Sequence, residues 1–157
     1  MKPFVRGGIV VGSLAALVAA GCATGGTNKM TPADYVAERQ RLMKLNGASW
    51  ADVQAKMKAG NIEAVAVNAE TMAYNAREIP KLFPEGSLTD KSKAKPEIWQ
   101  KWSEFDADAK NFQMWAVKLR DAAKSKDKAA TEAVYKDFGR QACGTCHQPF
   151  RVPPPKS

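Results

Sequence analysis

Histidine occurs once in the 157 residues, at position 147, and cysteine three times, at 22, 143 and 146. A single imidazole means that no two histidines of one molecule can bind the same metal ion. It also excludes peroxide chemistry that relies on a second, distal histidine. With two of the three cysteines in one short motif, no disulfide framework can be built. Strand-type alternation is absent, internal repeats are absent, and no segment brings acid and base side chains together at a motif spacing. No nucleic-acid-binding module is recognisable and the lysines are scattered, so the basic balance does not point to nucleic acid. These absences leave an all-helical chain that is not expected to be an enzyme.

The longest apolar run, Ile9 to Ala20, follows Lys2 and Arg6 and is short for a membrane span. Residues 1–21 therefore read as an export signal, and the expected destination is the periplasm. Cys22 stands directly after small residues in "LVAAGCATGG". That arrangement resembles a bacterial lipoprotein cleavage site, although Ala19 stands where such sites usually carry leucine. Two fates stay open: lipidation of Cys22, with membrane anchoring, or ordinary cleavage nearby. Residues 22–30 are small and polar and read as a tether. The formal charge is +8, and loss of residues 1–21 would leave +6. That balance suits acidic partner proteins or a solvated basic surface.

Helical signals fill the rest. Thr31, Pro32 and Asp34 make a start signal, with Thr31 as N-cap. Val36, Met43, Trp50 and Met57 recur at seven-residue steps as one inward stripe, and Gly60 is the expected stop. A second helix is predicted from about Asn61 to Glu78, and residues 80–95 form a long polar connection. Pro96 opens a third helix, striped by Trp99, Trp102, Phe105, Ala109, Phe112, Ala116 and Leu119. Residues 124–128 turn the chain into a fourth helix from about Asp127 to Phe150, and a proline-rich tail occupies 153–157. The expected architecture is an antiparallel four-helix bundle over residues 31–152.

Near the end of the fourth helix stands "CGTCH", residues 143–147. Cys143, Cys146 and His147 fall at i, i+3 and i+4, on one helix face. Two thiols at this spacing can add across the vinyl groups of a haem while the adjacent imidazole reaches the iron. Gly144 and Thr145 are small enough not to obstruct the ring. A structural zinc site wants four ligands, which this chain does not offer. A thioredoxin-like site wants a strand and helix context that is missing here. One covalently bound haem c is the expected cofactor, with His147 as proximal ligand. The sixth position is left to a methionine, a weak ligand or nothing.

The segments "RQRLM" at 39–43, "KPEIW" at 95–99 and "FGRQACGTCHQPFR" at 138–151 resemble the class II c-type cytochromes, the cytochrome c-prime group. The resemblance covers about residues 31–151 and implies a four-helix bundle with its haem on the last helix. It implies that Arg39 and Gln40 lie near the haem propionates and that Met43 is the distal residue. It also implies that Arg151 is the basic group near the proximal imidazole. Pro149 departs from the pattern and puts the placement of Arg151 in question. The low-spin, His/Met-ligated subgroup is the one the first-helix pattern resembles. The expected function is single-electron transfer between redox partners with His147 and Met43 on the iron. The alternative is a five-coordinate protein that binds small gases such as nitric oxide or carbon monoxide. Members often form homodimers through their first two helices, and the same is open here.

Overall fold

A computed structural model describes residues 29–154. Residues 1–21, expected to be an export signal, together with Cys22 and the end of the tail, lie outside the described residues.

The first rod, α1, spans Pro32–Lys58. Thr31 caps it as expected: its Oγ1 accepts from the Asp34 amide at 3.2 Å, and its own amide donates to the Asp34 carboxylate at 2.8 Å. Gly60, at φ +73°, reverses the chain after α1, a backbone setting that favours glycine. The helix buries Val36, Arg39, Leu42, Asn46 and Val53. Met43, Trp50 and Met57 flank that stripe, half-buried. The seven-residue periodicity marked the edge of the buried face, not its centre.

The second helix, α2, spans Val65–Ala76, shorter at both ends than Asn61 to Glu78. Tight three-residue turns, Val65 N–H to Ile62 and Ala66 N–H to Glu63, replace its first turn. At the far end Pro80 has no N–H to give the Ala76 carbonyl, and the chain continues in similar tight turns through Leu82. The predicted third helix is broken. A single turn, α3 (Glu97–Gln100), is separated from α4 (Trp102–Lys124) by Lys101, whose φ of −120° and ψ of 43° lie outside the helical region. The Trp99 indole N–H holds that turn to the Phe83 carbonyl at 2.9 Å.

The fourth rod also departs from one regular helix. It runs as α5 (Lys128–Phe138), a widened π-type turn over Gly139–Gly144, and α6 (Thr145–Phe150). Asp127 caps it through the Ala130 amide at 2.9 Å. Four rods thus make the bundle, with α1 on α2, α2 on α4, and α4 on the whole of the last rod. Among the described residues the only extended pairing is an isolated bridge between Ala94 and Arg151.

The core is continuous from Leu42 and Val53 through Val65, Met72, Phe105, Phe112 and Leu119 to Phe138 and Phe150. Between α1 and the last rod direct helix packing gives way to an opening. Trp50 bridges one end of it, stacked on Phe138 with ring centroids 4.7 Å apart and touching Tyr135 at 5.3 Å. The loop after α2 lies along it on another side.

Candidate haem site

That opening is a cavity of about 480 Å³, within the range of small-molecule and cofactor sites. Cys143, Cys146 and His147 border it from the last rod, and Met43 borders it from α1. Phe83, Ile98, Phe105 and Phe112 supply apolar wall, and Lys44, Lys93 and Arg151 are among its charged residues. All seven sequence-predicted site residues, Arg39, Gln40, Met43, Cys143, Cys146, His147 and Arg151, border this one space.

The widened turn is what the periodicity of the fourth helix did not reveal. A wider turn changes the aim of the residues that follow it, and here it contains Cys143 and leads directly into Cys146 and His147. The Gln141 carbonyl within it accepts from the Asn111 amide on α4 and from the Thr145 hydroxyl. Glycines at both its ends, Gly139 and Gly144, were the available signal. Gly144 and Thr145 do not border the cavity. A methyl group at 144 would meet the Gly139 carbonyl at 3.7 Å and the Gln148 amide at 3.9 Å, ordinary contacts outside the site. Their small size is therefore not what clears space for a ring.

Both thiols are unpaired and partly buried. Burial raises the Cys143 pKa; at Cys146 burial, aided by the Asp108 carboxylate and the neighbouring thiol, pushes it up to about 12. The unreacted cysteines are accordingly neutral thiols at physiological pH. His147 keeps much of its surface exposed, since it edges on the open cavity. The protein around it still holds its pKa below the ordinary value, with the Arg151 charge adding to the effect. Its imidazole is neutral, the form that binds metal.

Arg39 is 6 % exposed. Its Nε donates to the Leu82 carbonyl at 2.6 Å, one terminal nitrogen to the Ser87 carbonyl at 3.0 Å, and the other to the Ser87 hydroxyl. The guanidinium also lies 4.0 Å from the Phe83 ring centroid. Burial lowers its pKa to about 10, so it stays charged at neutral pH. Arg39 thus borders the cavity while fastening the loop after α2, a role the sequence did not suggest. Three of its five N–H groups are used in these bonds. Gln40 is exposed and donates to the Lys91 carbonyl at 3.2 Å.

Pro149 does not displace Arg151. The Arg151 amide still reaches the His147 carbonyl at 3.2 Å, and Val152 and Lys95 pair the chain end with the loop at 2.8 and 3.0 Å. The Lys95 ammonium caps the Pro149 carbonyl at 3.1 Å. Residues missed by the sequence reading include Asn46, Trp50 and Asp108, which also border the cavity.

The residues present fit a haem. Much of the cavity wall is apolar, from Phe83, Ile98, Phe105 and Phe112, as the faces of a haem require. Two thiols and a neutral imidazole lie on one of its walls. The model of the family described as Cytochrome C' matches residues 34–151. The chain belongs to the cytochrome c′ family. Family proteins carry one covalently attached haem c per chain, and Cys143 and Cys146 are the thiols that border the cavity at the spacing such attachment uses.

The chain is 34% identical over 131 residues to cytochrome c′ of Pararhodospirillum photometricum, covering 77% of this chain and 98% of that protein. It is 33% identical over 123 residues to cytochrome c-556 of Agrobacterium tumefaciens, covering 76% and 98%. A solved nitric oxide complex of a variant of cytochrome c prime from Alcaligenes xylosoxidans superposes with a TM-score of 0.71. It is 25% identical and covers 80% of this chain and 99% of that one.

Proposed function

We propose that this cytochrome c′ family member is a periplasmic single-electron carrier whose haem iron is held between His147 and Met43. The observation that carries the reading is the shared cavity: His147 borders it from α6 and the Met43 thioether from α1, on separate rods. Among the described residues no second imidazole can compete, and Met43 is the methionine that borders the cavity from α1. The haem supplies the one-electron couple, and methionine ligation raises its potential. The chain's residues hold the cofactor, exclude water with the phenylalanine wall and set the charge around the opening. Lys44, Lys93 and Arg151 make that surroundings cationic, which favours encounter with an acidic redox partner. Exposed Leu45, Val67 and Tyr74 on α1 and α2 would suit a homodimer through those helices.

The second reading, gas binding at five-coordinate iron, is favoured by the likeness to a nitric oxide complex. There Met43 would pack over an open position, a use its flexible side chain allows. Replacement of Met43 separates the two. Under the electron-carrier reading, Met43→Ala turns a low-spin optical spectrum high-spin, lowers the reduction potential and admits carbon monoxide to the ferrous protein. A wild-type spectrum already high-spin, with Met43→Ala changing only ligand access, hands the function to gas binding.

A further inference from the structure

The last rod has two fixed points in the core. Phe138 is fully buried against Trp50 and Phe112, and Phe150 is buried edge-on against Phe105. At about 100° per residue, a regular helix would set Phe150 about 120° round the rod from Phe138. A π-type turn takes up one extra residue, and the angle falls to about 20°. The widened turn over Gly139–Gly144 thus lets both rings enter the core while Cys143, Cys146 and His147, between them, border the cavity.

Nothing in the local backbone obliges the turn to stay wide. Gly139 (φ −57°, ψ −42°) and Gly144 (φ −64°, ψ −40°) hold ordinary helical angles. Space does not demand either glycine: a Cβ at 139 would meet nothing within 4 Å, and one at 144 only ordinary contacts. Such turns are rare, and this one has a partner outside the rod. From α4 the Asn111 side-chain amide donates to the Gln141 carbonyl at 2.5 Å and lies 3.4 Å from the Thr145 hydroxyl, which donates to the same carbonyl at 3.1 Å. A carbonyl oxygen has two lone pairs, and here two side-chain donors claim them. Among the described residues no other element hydrogen-bonds to this turn. Asn111 itself does not border the cavity.

We propose that Asn111 is a positioning residue for the proximal ligand: by clamping the Gln141 carbonyl it holds the turn wide and so sets the aim of His147 at the iron. The inference rests on a haem in this cavity with His147 as its ligand, and does not depend on Met43. Groups that orient a metal ligand tune the bond it makes. Without the clamp the turn can narrow toward regular helix while Phe138 and Phe150 stay pinned, and His147 is drawn off its line.

The probe is the iron–histidine stretch of the ferrous holoprotein in resonance Raman. Met43→Ala is the parent, where His147 is the protein ligand left to the iron under either reading of Met43. Asn111→Leu is expected to lower and broaden the stretch, because a tilted imidazole bonds iron less well. Asn111→Asp keeps the shape, loses the amide donor and should do the same. Leu119→Ala, a buried substitution about two turns further along α4, controls for lost stability and should leave the stretch in place. If neither Asn111 variant loads haem, Thr145→Val removes the other donor to Gln141 and is read instead. A lowered stretch in the variant read supports the clamp. An unchanged or raised stretch overturns it, as does an equal shift in Leu119→Ala. Absence of the stretch from the parent would overturn His147 ligation and the clamp together. The spin state of the protein with Met43 intact reports separately on the electron-carrier reading.

Discussion

Arg39 and Met43 stand one turn apart on α1, border the same cavity and are put to different uses. The Arg39 charge is turned to the loop carbonyls of Leu82 and Ser87, while the Met43 thioether has no comparable anchor. The cysteine–histidine motif was legible because its chemistry is local: three residues within five positions bring their own geometry. Asn46 was not legible, since its burial depends on Asn75, 29 residues further along. Two predictions belong at this scale. Replacing Cys143 and Cys146 together by serine removes both thioether links, so acid acetone should extract the haem; retention in the protein fraction would contradict the assignment. Gly144→Ala, by contrast, should leave covalent haem content unchanged, because the added methyl meets only ordinary contacts away from the cavity. A haem-free Gly144→Ala protein would show that the ring does come near that position.

The helices were mostly legible, and their interruptions were not. Capping at Thr31 and the reversal at Gly60 follow from side chains and backbone close in sequence. The break at Lys101 and the widened turn at Gly139–Gly144 instead depend on partners from other elements, the Phe83 carbonyl for Trp99 and Asn111 for Gln141. Propensity alone prefers an unbroken helix in both places. The loop between α2 and α3 depends on Arg39 in the same way. Arg39→Ala should cost about 2 kcal/mol, given hydrogen bonds from a charged donor, and should free the loop. Trypsin then cuts several-fold faster at Lys81, Lys91 or Lys93 than in the wild-type holoprotein. Cleavage at unchanged rate would mean that the loop is held by other contacts, such as the pairing of residues 93–95 with the chain end.

Over the whole molecule, the bundle is arranged around a space that the amino acids do not fill. Three of the four rod pairings are direct helix packing, and the fourth is the cavity wall. The haem-free chain is therefore expected to keep helical far-ultraviolet dichroism and lose the fixed near-ultraviolet signal of its aromatic side chains, the behaviour of a loosely packed state. A sharp near-ultraviolet spectrum without haem would show that the walls close without the cofactor. The cationic residues at the opening predict that reduction by an anionic small reductant slows as ionic strength rises, since salt screens the attraction. A salt-independent rate would remove the cavity charges from the encounter.

The claim that most depends on how the rods face one another is that His147 and Met43 share the iron. Low-temperature electron paramagnetic resonance of the ferric wild-type holoprotein tests it without any substitution. His/Met ligation predicts a low-spin ferric signal as the dominant species. A dominant high-spin signal, from iron with an empty or weakly filled sixth position, would contradict it.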